Sequence, residues 1–440
     1  MVLESESRIL PDSPVKRGEL AVVVGGGVSG LAAAALLRRL GARVRLLDNR
    51  PEGLEAETLS KAAALDLEFI AGPHRPEQFR GAALVVPSPG VPVRKLEALL
   101  SEAGNPPCIS ELELASSFAH EDIIAVTGTS GKTTTVSLIA AMLEKAGKKV
   151  FLGGNIGTPL SAYILQREEK GGAADVLVLE TSSFQLQLTR AFHPRTAVLL
   201  NLSENHLDQH RDMEEYRAAK LRIFANQTRL DLAILGDPLF SLLRDYPLRA
   251  RREYFAPSGR FRRTRLLGRH NQANLEAAFL AAQAFGTTLE EAVAVAAAFS
   301  PLPHRLESVG EWSEILYVDD SKATTVEALR VALRSLERPL FLLAGGVFKG
   351  GDLESLRPLL RERVKAVALF GGSREIFETA WREAVPLSWD ADLESAVRRV
   401  RSKAAPGDAI LLAPATSSFD LYADYKARGN DFKRIAELLK

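Results

Sequence analysis

Twice in this chain an apolar, strand-like run enters a glycine loop and leaves it as a helix. Residues 21–24 lead into Gly25-Gly26-Gly27-Val28-Ser29-Gly30 and the apolar stretch 31–40, and residues 123–126 lead into Thr127-Gly128-Thr129-Ser130-Gly131-Lys132-Thr133-Thr134 and the helical stretch 136–143. A strand, a tight turn and a helix that must return to the sheet make a crossover unit, so the chain is expected to build parallel sheets with helices on both faces. Further short apolar runs fit that expectation: 44–47 and 84–86 in a first block, 149–152, 176–179, 196–200 and 232–235 in a second, and 315–318, 340–343, 366–370 and 409–412 in a third. Gly41 stands where a helix C-cap glycine belongs. At 440 residues the chain exceeds one ordinary core, and ~150 residues per domain gives about three domains. The boundaries expected are 1–120, 121–302 and 303–440. Ser300-Pro301-Leu302-Pro303 ends a helix-rich stretch, because closely spaced prolines cannot continue a helix, and it reads as a hinge.

Composition narrows the partners. Lys+Arg total 56 and Asp+Glu 55, a formal net charge of +1, so no global basic field invites nucleic acid. Cys108 is the only cysteine, which rules out an intrachain disulfide and fits a reducing compartment. The first twenty residues carry mixed charge and no apolar core, so no secretory signal is expected. No apolar run reaches the roughly 18 residues of a membrane span. A cytoplasmic protein that acts on small molecules is the expectation, and a monomer, since no coiled-coil heptads appear.

Gly25, Gly27 and Gly30 satisfy G-x-G-x-x-G in its proper context, and Asp48 closes the next strand 18 residues past Gly30. Glycines let the backbone approach a diphosphate, the helix start adds partial positive charge, and an acidic residue can accept from a ribose or base. This chemistry specifies a diphosphate bearing a nucleoside. It does not choose between a nicotinamide dinucleotide and a UDP group, and a tight turn that binds nothing has the same pattern.

The second loop carries more. Its backbone amides can surround phosphate oxygens, Lys132 can reach the outer phosphates, and Thr133 can ligate Mg²⁺. A strict P-loop has glycine five residues before Gly131, where this chain has Val126, so the loop is a variant with its glycine at Gly128. Glu180 ends the run 176–179, and Asn201-Leu202-Ser203-Glu204-Asn205-His206 follows the run 196–200. Strand ends at one sheet edge are where open α/β sheets bind ligands. A carboxylate, an imidazole and a loop threonine converging there suit a hard cation beside phosphates. Taken singly, Glu180 could cap a helix, His206 could be a turn histidine, and Lys220 would sit on a solvated helix face.

Together these residues closely resemble the Mur ligase family of peptidoglycan synthesis, from the loop at Gly25 to Arg428-Gly429-Asn430-Asp431-Phe432. Gly153-Gly154-Asn155-Ile156-Gly157 and Leu179-Glu180-Thr181-Ser182-Ser183-Phe184-Gln185-Leu186 resemble its D-glutamate-adding members in particular. Gly268-Arg269-His270-Asn271-Gln272-Ala273-Asn274 resembles the adenine-contacting helix start, and Pro303-His304-Arg305-Leu306-Glu307 the junction to the last domain. Asp319-Asp320-Ser321-Lys322-Ala323-Thr324 and Gly345-Gly346-Val347-Phe348-Lys349-Gly350 resemble the parts that reach the amino acid. Ser130 stands where many members carry Asn, and Asn205 where Asp is common.

The resemblance implies an α/β fold of three domains: a Rossmann-like N-terminal domain for the UDP end, a P-loop-type central ATPase domain, and a Rossmann-like C-terminal domain for the amino acid. It implies ligation of D-glutamate to UDP-N-acetylmuramoyl-L-alanine through an acyl phosphate. ATP would meet Gly128, Thr129, Ser130, Gly131, Lys132, Thr133, Thr134, Asn271, Asn274, Arg305 and Asp320. Two Mg²⁺ ions would be held by Thr133, Glu180, His206 and Lys220, the last carbamylated; Lys132, Glu180, His206 and Lys220 would carry catalysis. The UDP substrate would meet Gly27, Val28, Ser29, Asp48, Asn49, Ser88, Asn155 and Ser182. The amino acid would meet Lys322, Thr324, Lys349, Ser418, Phe419 and Tyr425. From the residues alone, two other readings stay open: a nicotinamide-dependent oxidoreductase built on Gly25–Gly30, and a non-catalytic nucleotide sensor. Within the family, a ligase for another amino acid is the rival.

Overall fold

The apolar runs become buried central strands. In the computed structural model, residues 14–49, 56–203 and 209–440 are described. Strand β1 (Leu20–Val24) is buried at every position. It pairs in parallel with β2 (Arg43–Asp48) on one side and β4 (Ala82–Pro87) on the other, and β3 (Glu68–Ala71) lies outside β2, giving the order β3-β2-β1-β4. The helix Val28–Arg39 carries the chain from β1 to β2.

A second sheet holds β5 (Asp122–Thr127), β6 (Val150–Gly154), β7 (Val176–Glu180), β8 (Thr196–Leu199), β9 (Leu232–Gly236) and β10 (Arg251–Phe255) in the order β10-β9-β8-β5-β7-β6, all parallel. Its register matters for chemistry. Val126 pairs with Glu180, Glu180 with Gly154, and Thr127 with Leu199. The carboxyl ends of four adjacent strands therefore finish level, and the loops after them share one edge. Both sheets belong to one compact unit, Met1–Ala256 with Asn274–Val295.

The other unit, Pro257–Ala273 with Ala296–Lys440, holds β11 (Glu307–Trp312), β12 (Ile315–Asp319), β13 (Leu340–Gly345), β14 (Val364–Phe370), β15 (Leu387–Asp390) and β16 (Ala409–Leu412). Their order is β11-β12-β16-β13-β14-β15, parallel except for β11 against β12. Strand β13 shows why it is central. Leu340, Leu342 and Ala344 enter one hydrophobic cluster, while Phe341 and Leu343 enter another on the opposite face. A strand buried on both faces reads as an unbroken apolar run, and each fully buried Leu contributes about 1.5–3 kcal/mol.

Four strands have no such run: β3, β10, β11 and β15. Each stands at the edge of its sheet and is only partly buried. An edge strand covers one side with solvent and needs fewer apolar residues, so the sequence pattern there is weak.

Candidate active site

The second glycine loop leaves β5 at the level edge. Gly128 and Gly131 have φ of +156° and +83°, and a Cβ on Gly131 would lie 2.5 Å from Asn274 Oδ1. Glycine is required here by both backbone and space. The helix Lys132–Lys145 starts at Gly131, so its first amides and positive end face the loop. Lys132 Nζ donates to the carbonyls of Gly128 and Thr129 at 2.9 and 3.1 Å. Thr134 is buried on the inner side of that helix. Asn201, just past β8, holds the loop from the side: its Oδ1 accepts from the amides of Thr129 and Ser130 at 3.1 and 3.0 Å. Its partners lie 72 and 71 residues earlier, so the sequence pattern gives Asn201 no role of its own.

Glu180 is the hub of the edge. Its Oε2 accepts from Thr133 Oγ1 at 2.7 Å, its Oε1 from Asn155 Nδ2 at 3.0 Å, and it is 3% exposed. Lys220 is 2% exposed and donates to Gly128 O at 2.9 Å. Burial holds its ammonium well below the usual lysine range, the Lys132 charge pushes the same way, and Glu180 opposes both. Its Nζ lies 4.7 Å from the Tyr216 ring centre, and Tyr216 Oη meets Thr129 Oγ1 at 3.1 Å. His210 packs behind Tyr216, its Nε2 2.9 Å from Ser183 Oγ and its ring stacked on Phe184. Tyr216 and His210 are buried partners that the sequence reading missed. His206 lies outside the described residues. Ser182 caps the short helix Ser183–Leu186, accepting from the Gln185 amide.

The donors that remain fit a hard cation. A threonine hydroxyl and a buried carboxylate already lie in contact, and the neighbouring amine is one that burial disfavours as an ammonium. Among the described residues, the one group of three His, Asp and Glu donors close enough to share an ion is His304, Glu307 and Asp319. There His304 Nδ1 meets Asp319 at 2.7 Å, and Lys433 Nζ lies 2.6 Å from Glu307, so an ammonium already supplies the positive charge.

The first glycine loop opens on a cavity of about 550 Å³, whose walls include Gly27, Val28, Ser29, Asp48, Asn49, Ser88 and Asn155. A Cβ on Gly30 would stand 1.9 Å from Gly25 O, which forces glycine where helix and strand meet. Ser88 Oγ donates to Gly25 O at 2.9 Å. Asp48 is 2% exposed, and its Oδ2 accepts from the Gly26 amide at 2.8 Å. One oxygen of the expected ligand contact therefore holds the loop itself. Val28 is 71% exposed at the mouth, an apolar surface offered to a ligand.

In the other unit, the expected amino-acid residues follow three adjacent strands. Lys322 and Thr324 come after β12, Lys349 after β13, and Ser418, Phe419 and Tyr425 after β16. Lys322 Nζ lies 4.0 Å from the Tyr425 ring centre, and Lys349 Nζ lies 5.3 Å from that of Phe419. Lys349 is exposed; Ser418 is buried, its carbonyl accepting from the Tyr422 amide. Asp320 is buried, accepts from the Leu306 amide at 3.3 Å, and feels the charge of Arg305. Asn271 is buried and donates to Leu267 O at 2.7 Å.

Residues 126–250 match the Mur ligase middle domain, residues 304–416 the Mur ligase glutamate ligase domain, and residues 19–106 the Mur ligase MurD-like N-terminal domain. The chain belongs to the Mur ligase family. This Mur ligase is 54% identical to a UDP-N-acetylmuramoylalanine–D-glutamate ligase of Oleidesulfovibrio alaskensis, over 96% of its own chain and 94% of the relative. It is equally 54% identical to one of Nitratidesulfovibrio vulgaris strain DP4, over 97% and 98% of the two chains. Its fold is similar to that of the solved MurF ligase of Thermotoga maritima in complex with ADP, with a TM-score of 0.59, 18% identity and 98% of each chain covered. The three-domain α/β architecture is that of the Mur ligases, and the oxidoreductase alternative for the first glycine loop falls with it.

Proposed function

We propose that this Mur ligase joins D-glutamate to UDP-N-acetylmuramoyl-L-alanine, with ATP converted to ADP and phosphate. The observation that carries the reading is the 54% identity, across nearly the whole chain, to ligases that bear that name. We assign the UDP end to residues 1–120, ATP to 121–302 and the amino acid to 303–440. The substrate carboxylate attacks the γ-phosphorus and ADP leaves. The D-glutamate amine then attacks the acyl carbon, phosphate leaves, and a proton is released.

Two anions meet in the first step, so the site must neutralise charge and align the reactants. Lys132 would leave the carbonyls of Gly128 and Thr129 for the phosphates, and the helix end behind it adds to the positive field. Thr133, Glu180, His206 and Lys220 would hold Mg²⁺, which when bound neutralises charge between the two anions. Lys220 fits that set as a carbamate: its depressed amine is the form that adds CO₂, giving an anionic oxygen donor and releasing a proton. The loop at Gly27–Ser29 would take the diphosphate. Lys349 would pair with a carboxylate of D-glutamate.

No helix among the described residues is long and apolar enough to cross a membrane, and a cytoplasmic monomer acting on small molecules is the reading adopted. The test is phosphate release from ATP and Mg²⁺ with UDP-N-acetylmuramoyl-L-alanine and either D-glutamate, L-glutamate, L-alanine or no amino acid. Sustained release with D-glutamate alone is expected. Equal release with L-alanine would move the chain to another specificity, and none with any of them would end the ligase reading.

A further inference from the structure

His74 lines the same cavity as Asp48 and Asn49 but has no role in the reading above. It follows β3, and β3 lies outside β2 on the side away from β1 and its glycine loop. A nucleotide held on such a loop points its diphosphate at the helix start and its nucleoside past the carboxyl end of the neighbouring strand, here β2. His74 therefore borders the nucleoside end of the cavity. Its Nδ1 is buried and has no hydrogen-bond partner among the described residues. Buried polar atoms are normally paired, so one left open on the wall of a cavity is a candidate for pairing with a ligand.

We propose that His74 is a base-reading residue, hydrogen-bonded to the pyrimidine ring of the UDP substrate. The proposal rests on the reading of this cavity as the UDP site. Burial holds the imidazole below the usual histidine range, and the Asp48 charge only partly offsets it. The ring is then neutral at physiological pH, with one nitrogen donating and one accepting. In either role the open Nδ1 finds a partner on a uracil edge, which presents both carbonyl acceptors and an imide N–H. The exposed Val28 at the mouth and the amides at the helix start serve the rest of the nucleotide, so His74 adds recognition of the base and not of the diphosphate.

The test separates base from diphosphate. Full-length protein and a His74→Ala variant are titrated with UDP and with ribose 5-diphosphate, which is UDP without its base. The loss of one hydrogen bond should weaken UDP binding about three- to tenfold. Ribose 5-diphosphate should bind both proteins within twofold, and the melting temperature should hold. Equal weakening of both ligands would make His74 a structural residue of the loop and overturn the proposal, as would unchanged UDP binding. If wild-type protein binds neither ligand, the UDP reading of the cavity fails and takes this inference with it.

Discussion

Lys132 and Lys220 donate to one carbonyl: each Nζ lies 2.9 Å from the oxygen of Gly128. Two ammonium groups at a single acceptor repel, and Lys220 is the more deeply buried of the two. It is therefore the one whose ammonium is held well below the usual lysine range, with desolvation the larger cause. An arginine at this position cannot become a neutral nucleophile for CO₂. Lys220→Arg should cut phosphate release by about 10²–10³-fold, on the scale of losing one preorganised charge-stabilising group. Added bicarbonate should not restore it. Wild-type enzyme in CO₂-depleted buffer should lose activity and regain it with bicarbonate. Turnover by the arginine variant near the wild-type rate would sink the carbamate role.

Gly27 and Gly30 of the first loop should separate folding from binding. Gly30 is pressed against Gly25 O, so Gly30→Ala must move a strand end or a helix. Overpacking of that kind costs about 1–3 kcal/mol, and the melting temperature should drop. A Cβ on Gly27 meets nothing within 4 Å, and its φ is an ordinary −74°. Gly27→Ala should melt like wild type yet raise the KM for the UDP substrate, because its methyl points into space reserved for the diphosphate. A Gly27→Ala enzyme with unchanged KM would show that the diphosphate does not use this loop.

What could be read beforehand follows from burial. Strands such as β1, β5 and β13 are covered on both faces, and their apolar runs announce them. Strands β3, β10, β11 and β15 are edges, and no run marks them. Lys220 looked like a solvent-facing residue, but Tyr216, Ala219 and Lys220 are the buried face of the helix Met213–Leu221. The spacing i, i+3, i+4 from Tyr216 was a signal that charge alone obscured. His210 gave none, since its partners Ser183 and Phe184 lie 27 and 26 residues earlier and meet it only through the fold. The role of Asp48 was half legible: its position at a strand end suggests a ligand, and only the geometry reveals the bond to Gly26.

Lys349 is the exposed cation of the three loops that follow β12, β13 and β16. A hydrogen bond between an ammonium and a carboxylate contributes about 1.5–3 kcal/mol, or roughly 10- to 150-fold in binding. Lys349→Ala should raise the KM for D-glutamate by that range. The KM for the UDP substrate should stay within twofold and the fold should be intact, because Lys349 is an exposed side chain whose Nζ stands over the Phe419 ring. A uniform fall in kcat with both KM values unchanged would mean that Lys349 does not hold the amino acid.

Asp320 should make the C-terminal unit lose stability as pH rises through neutrality. Burial pushes its carboxyl from the ordinary 3.8 up to about 7; the Leu306 amide lowers it, Asp319 raises it and Arg305 lowers it. Between those two values the folded protein keeps the proton and the unfolded chain has lost it. The folded state then binds more protons, so stability falls with rising pH. The contribution is whole below pH 3.8 and gone once pH passes about 7. The difference between those two values corresponds to roughly 4 kcal/mol at most. Asp320→Asn removes the titration and keeps an acceptor for Leu306. Trp312, Trp381 and Trp389 are the three tryptophans, and all lie in this unit, so their fluorescence follows its unfolding in urea. The variant should gain stability relative to wild type as pH is raised from 4 to 7.5. Curves that run parallel across that range would show that Asp320 is ionised throughout, and that the buried carboxyl is held by a cation partner rather than by its proton.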